Sequence, residues 1–330
     1  MLKEMKSHCT ETSKPGRLDS FNLYLQLPTS ELMWEIDSAA LLCPDEIDFL
    51  INPRRLRGSD FLMRWAQGRW SEEIVIRALN QTKQFGVIPY GPSTVAPEDP
   101  KELELFFEKM DLINQEGKRP DILLYDRATY DWARNEVARR LGSVEKVAET
   151  SSSVLEDVIS KAIAAIEVEN SLWVTEKMPG FGKPFSRYKR GKNKGRLKPA
   201  GIVPTIIVKQ EDIPRLEQWE AHFDIPVYVV HIFYDQGYFI NFNDVLGMLK
   251  SGELGMEEQR YTNPDGRAAS PKSIVKVPYI LCKEFGTVSG QTLLPRTFVD
   301  KNGKVMTYVT FSGGDIQLSP DVFEAWSDEI

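Results

Sequence analysis

Histidine and cysteine are scarce in this 330-residue chain, with three of each. His8, His222 and His231 lie far apart, outside any compact cluster of His, Asn or Cys, which excludes chemistry built on a general-base histidine in a metal finger. His222 and His231 flank a strand-like run and are expected to be structural. Cys9, Cys43 and Cys282 are odd in number and have no Cys-x-x-Cys spacing, so neither a disulfide framework nor a zinc ribbon is expected. Glycine patterns are equally thin. Gly180-Phe-Gly182 is only a fragment of a phosphate-binding loop, and neither a Walker loop nor a Gly-x-Ser-x-Gly elbow is present.

Long apolar runs are missing too, and no segment approaches the ~20 residues that span a bilayer. The first residues, MLKEMKSHCTETSKPGRLDS, are polar and lack the apolar core of a signal peptide, so the expected location is the cytoplasm, with no membrane partner. Hydrophobic residues make up 42% and charged residues 27%, the balance of an ordinary globular protein with one large domain or two. No internal repeat is evident.

Charge is where the chain departs from the ordinary. Lys183, Arg187, Lys189, Arg190, Lys192, Lys194, Arg196 and Lys198 fall within sixteen residues that hold no acid. Removing these eight positive charges from the net −7 leaves −15 on the remainder, so the basic character is local. A segment rich in Gly, Lys and Arg, with Phe185 and Tyr188 interleaved, suits phosphate contact and counterion release, and its arginines and lysines suit guanine edges. It is expected to be mobile without DNA. Charge runs also occur as plain solvated loops.

Two apolar runs carry acids at their ends: Pro120-Asp121 opens PDILLY, and Glu167-Val168-Glu169 closes AIAAIEVENS. On a strand, residues i and i+2 share a face about 6.6 Å apart, so Glu167 and Glu169 point together while Val168 enters the core. Asp121 on a neighbouring strand would face them. Like charges about 7 Å apart cost roughly 2 kcal/mol per pair at an effective dielectric near 20. A divalent cation relieves that cost, and hard oxygen ligands suit Mg2+. Taken singly, an acid at the mouth of a strand and a Glu-Val-Glu alternation are common on half-solvated sheets.

The order of these pieces resembles the PD-(D/E)XK nuclease superfamily and, within it, the type II restriction endonucleases. The Pro-Asp is Pro120-Asp121 and the second acid is Glu167, but Glu169 stands where the commonest form has lysine. The Glu-Val-x-x-Ser stretch and the strand-helix-strand that follows resemble the AccI-like enzymes. The resemblance implies Mg2+ held by Asp121, Glu167 and Glu169, in-line hydrolysis of double-stranded DNA to 5′-phosphate and 3′-hydroxyl ends, a homodimer on a palindromic site, and a companion methyltransferase. A carboxylate cannot supply the positive charge of the motif lysine, which leaves that role to another residue. Lys209, ending GIVPTIIVK, is the candidate, with a solvated strand end as the competing reading.

The fold expected is α/β, a central mixed sheet flanked by helices. Residues 1–64 form an N-terminal helical segment, with helices around Thr29 to Cys43 and Pro44 to Ile51. Residues 65–250 form the nuclease core with the basic loop 183–198, and residues 251–330 a β-rich extension packed on it. Helical spacing marks EEIVIRALNQT, with Ser71 as its cap, then KELELFFEKMDLINQEG, ATYDWARNEVARRLG and SVLEDVISKAIAA. Glu73 is a further candidate near the metal, although helix-end electrostatics explains it as well. TIIVK, EDIPRLEQWEAHF and IPVYVVHIFYD are expected to form a β-α-β unit. Asn302-Gly303 signals a hairpin. Other readings remain open: a repair or modification-dependent nuclease of the same superfamily, a DNA-binding protein without activity, and a glycosidase built on paired carboxylates, the last of which leaves the basic segment without a purpose.

Overall fold

The computed structural model describes residues 60–91, 117–171, 173–191, 193–259, 271–299 and 305–327. The expected helices before residue 60, the helix at 101–117, Lys192 and the Asn302-Gly303 turn lie wholly or largely outside these residues.

Seven strands form one mixed sheet in the order β1 (Phe85–Pro89), β2 (Ile122–Asp126), β3 (Ala164–Asn170), β7 (Val227–Ile232), β8 (Gln236–Asn241), β11 (Lys283–Val299) and β12 (Val305–Leu318). β3 and β7 are parallel and every other neighbouring pair is antiparallel. Alternation along the strands feeds two cores. Ile122, Leu124, Ile166, Val168 and Val230 pack on one face under helices α1 (Asp60–Asn80) and α5 (Pro320–Ser327). Leu123, Tyr125, Ala165, Val227 and Val229 pack on the other, with α2 (Arg127–Leu141), α3 (Ile213–Phe223) and α4 (Phe242–Lys250). This is the α/β fold expected, a sheet flanked by helices.

Local signals account for several boundaries. Asp126 caps α2 by accepting the Thr129 N–H at 3.0 Å, and Gly142 closes it at φ 83°, in the left-handed region that glycine adopts without strain. Ser71 does not cap a helix. It lies inside α1, where its hydroxyl donates to Gly68 O at 2.7 Å and accepts from Asn170 Nδ2 at 3.2 Å, tying the helix to the end of β3.

The β-α-β expectation also changes. TIIVK is strand β6 (Thr205–Lys209), but it pairs with β10 (Lys272–Pro278), which pairs with β9 (Met256–Gln259), in a separate three-stranded sheet. β7 joins β3 instead. An apolar run states that a segment is a strand; its partner depends on residues far along the chain, here Ile274 to Pro278. The C-terminal strands continue the large sheet, with β11 paired to β8, and Val299 opposite Val305 where the hairpin was expected. Within the basic segment, β4 (Ser186–Arg187) and β5 (Leu197–Lys198) pair as a small antiparallel hairpin. Among the described residues, no helix is long and apolar enough to cross a membrane.

Candidate active site

β3 presents the acids as its alternation requires. Val168, 8% exposed, packs beside Ile166 on the α1 face, while Glu167, 6% exposed, and Glu169 project from the opposite one. The antiparallel register that sets Ile122 against Ile166 brings Asp121, just before β2, level with Glu167. The Val168 N–H donates to Asp121 Oδ2 at 2.7 Å, and the Asp121 carbonyl accepts from Tyr90 N at 2.8 Å and Gly91 N at 3.0 Å. Asp121 is thereby held between β1 and β3. A Cβ at position 91 would stand 2.8 Å from Asp121 Cα and 3.0 Å from its Oδ1, so only glycine allows this approach.

The small sheet supplies the other wall. Lys209 at the end of β6 donates to Glu169 Oε1 at 3.0 Å and lies 4.0 Å from Asp212. Asp212 occupies the cap position of α3 without capping it, and its carboxylate instead meets Lys118 at 3.3 Å. Lys118 also pairs with Glu167. Oxygens of Glu167, Glu169 and Asp212 all lie within 4.8 Å of one another. Glu167 Oε2 is buried with no hydrogen-bond partner.

The electrostatics follow from this crowding. Burial, then the negative charge of Glu72, pushes the Asp121 carboxyl up to about 8 from an ordinary 3.8, against the opposing pull of Lys118 and the Val168 N–H. Burial and the Asp121 charge hold Glu167 well above the carboxylate range, with Lys118 opposing. Burial pulls Lys118 down, but the carboxylates of Glu167, Asp121 and Asp212 outweigh it and keep the ammonium above its usual value. Lys209 is raised likewise, by Glu169.

The four residues read from sequence, Asp121, Glu167, Glu169 and Lys209, thus converge. Asp121 stands beside the tight trio rather than in it, and Asp212 takes the third place. Glu73 is not at the site: it is exposed and bound to Arg69 at 2.6 Å, and its neighbour Glu72 is the one whose charge reaches Asp121. Asp212 and Lys118 were the residues missed. Their one local signal is a shared spacing, Lys118-x-x-Asp121 and Lys209-x-x-Asp212.

Lys183, Lys189, Arg190 and Lys194 of the basic hairpin are exposed. Three others among the described residues are anchored: Arg187 donates to Gly195 O at 2.7 Å and approaches Glu253 at 3.4 Å, Arg196 donates to Asn193 Oδ1 at 3.1 Å, and Lys198 lies 5.6 Å from the Tyr188 ring centroid.

Hard oxygen donors and an orphaned buried carboxylate oxygen fit a divalent cation of the Mg2+ kind. A mixed sheet whose inner strand offers clustered carboxylates with lysines against them has the donors that metal-dependent hydrolysis requires. Residues 51–180 match the family model described as AccI restriction endonuclease, a stretch that carries Lys118, Asp121, Glu167 and Glu169. The likeness is confined to that stretch, which is less than half of the chain. No curated protein and no solved structure matches the chain.

Proposed function

We propose that the protein is a type II restriction endonuclease that hydrolyses double-stranded DNA at a specific sequence, with Mg2+, to 5′-phosphate and 3′-hydroxyl ends. The observation that carries this reading is the trio Glu167, Glu169 and Asp212, with oxygens within 4.8 Å, inside a frame of two lysines. Mg2+ held there would supply Lewis acidity toward a phosphate oxygen and toward the attacking water. Glu167 and Asp212, from that trio, would hold it, with Asp121 beside them as a further oxygen donor. Glu169, fixed by Lys209, is placed to orient the attacking water and accept its proton. Lys209 and Lys118 bring the positive charge that the Glu169 position lacks, and they stabilise the phosphate as negative charge builds on it.

The exposed hairpin cations hold backbone phosphates, which positions the duplex without reading it; anchored Arg187 and Arg196 are better placed for base edges. A palindromic target calls for a two-fold homodimer, so that each strand meets the same site. A companion methyltransferase protecting that target and a cytoplasmic location complete the reading.

The test is incubation with unmethylated phage DNA in Mg2+ or EDTA, alongside Asp121→Ala and Glu167→Ala. Discrete fragments that require metal and vanish in both variants are expected. Retained DNA binding without cleavage by the wild type would replace this reading with that of a binding protein or a nuclease of modified DNA.

A further inference from the structure

Beside the carboxylate cluster the two sheets part around a cavity of about 560 Å3, inside the range of about 300–1,000 Å3 usual for small-ligand sites. Trp173, Phe233 and Tyr188 give it aromatic walls from three segments of chain. His231 lies on Phe233 with ring centroids 4.4 Å apart and planes at 28°.

Two polar groups in this wall lack partners. His231 is 2% exposed and both of its ring nitrogens are unbonded, and Ser171 Oγ is buried and unbonded too. The cavity's acids are otherwise engaged, Glu253 with Arg187 and Glu257 with Lys276. A buried polar group is normally satisfied, so an orphaned pair facing a cavity points to a ligand that brings the partners. Burial pushes the imidazole down to about 3, which leaves it neutral at pH 7 with one N–H donor and one acceptor nitrogen. His231, expected from sequence to be structural, therefore has an unused chemical face.

Position narrows the ligand. His231 is paired with Glu169 across β3 and β7, and Ser171 follows Glu169 by two residues on the same face. Ile207, two residues before Lys209, lines the cavity from the other sheet, and Arg196 reaches it from the basic hairpin. A planar ring is wanted that stacks on aromatic faces and carries donors and acceptors on one edge. It must also be attached to phosphates lying toward the carboxylates. A nucleobase meets each requirement.

We propose that this cavity receives a nucleobase turned out of the DNA duplex, an inference that rests on the nuclease reading for the duplex that delivers it. The aromatic walls replace the lost stacking, and His231 and Ser171 take up the exposed base edge. The base read in this way contributes to the choice of target.

The test follows mapping of the cut site. Duplexes with a single mismatch at each position in turn are bound in Ca2+ in place of Mg2+ to keep them uncut. Extrusion costs least where pairing is already broken, so one position should bind about tenfold or more tighter than the matched duplex. His231→Phe keeps the ring on Phe233 but removes both nitrogens, and Tyr188→Ala removes the hairpin wall. Both should lose that gain. Tyr188 lies on the hairpin, so its variant keeps the test intact if His231→Phe fails to fold. Wild type that cuts its matched site while every mismatch weakens binding would overturn the pocket and leave the nuclease reading standing. Survival of the gain in both variants would overturn it equally. Nucleoside monophosphates that fill the cavity without competing against DNA would give the site to a free nucleotide instead. Wild type that neither binds nor cuts DNA would remove the nuclease reading and this inference together.

Discussion

The carboxylate cluster and the basic hairpin carry opposite charges under opposite physical conditions. The cluster is drawn inward, with Glu167 buried, Asp121 locked by three backbone groups, and two lysines held between strands. On the hairpin, Lys183, Lys189, Arg190 and Lys194 stand in solvent. Burial turns charge into strain that a cation or a reacting phosphate can relieve, whereas exposure turns it into a diffuse, salt-sensitive attraction. One region is therefore suited to chemistry and the other to grip, and variants should separate the two.

The largest separation is expected from Glu167→Gln, which keeps shape but removes the charge. Cleavage at saturating DNA should fall by at least about 10²-fold, the order of loss for one preorganised electrostatic group, with binding in Ca2+ nearly unchanged. A loss of binding in step with cleavage would merge the two regions.

The converse variant neutralises the hairpin with Lys189→Gln, Arg190→Gln and Lys194→Gln together. Affinity should weaken for all sequences, and the slope of log K against log salt should shrink by about 0.9 for each phosphate the hairpin no longer neutralises. Cleavage by the bound complex should change little. An unaltered salt slope would make the segment a bystander.

Metal and pH sharpen the contrast within the cluster. The Asp121 carboxyl is pushed up to about 8 in the folded chain against an ordinary 3.8, and Glu167 is raised as well. Between these values the unfolded chain has released protons that the folded one keeps. Stability is thus full below the ordinary carboxylate range and lost as pH rises toward 8. A bound cation favours the ionised carboxylates, so the Mg2+-induced rise in Tm should grow from pH 5 to pH 8. Asp121→Asn should flatten the metal-free decline, raising Tm at pH 8 relative to wild type by at least about 2 °C, the shift of roughly 1 kcal/mol or less in a domain of this size. A Mg2+ effect independent of pH would contradict the raised carboxyls.

The smallest effects distinguish neighbours on α1. Glu73→Ala, which removes only an exposed pair with Arg69, should stay within about 0.5 kcal/mol of wild type in urea unfolding. Glu72→Gln should lower the Asp121 pKa, visible as a metal-free stability profile displaced to lower pH.

Much of this site was legible because strands write themselves locally. The alternation Ile166-Glu167-Val168-Glu169 states both the strand and its two faces, and the Pro-Asp before ILLY states where the neighbouring strand begins. α2 was equally plain from the helical spacing of ATYDWARNEVARRLG, while its cap Asp126 came only with the structure. Asp212 and Lys118 were illegible for a physical reason: one sits at a helix cap, where an acid already has an ordinary explanation, and the other precedes β2 outside any strand or helix. Asp212 reaches the site only through the packing of β6 and α3 against the large sheet, and Lys118 only through the pairing of β2 with β3. The same non-local pairing hid the second sheet, since TIIVK matches a core strand equally well in either. Lys209 nevertheless lands on Glu169, because the end of β6 faces the end of β3 across the gap between sheets.

Asp212 is the most direct place to test the cluster, because geometry alone sets it with Glu167 and Glu169. Single-turnover cleavage of a mapped target in Mg2+, wild type against Asp212→Asn, measures its part without interference from product release. A loss of at least about 10²-fold in the cleavage step is expected, with DNA binding in Ca2+ retained. Cleavage at the wild-type rate would contradict it, leaving Asp212 an ordinary helix-end acid and the trio no metal site.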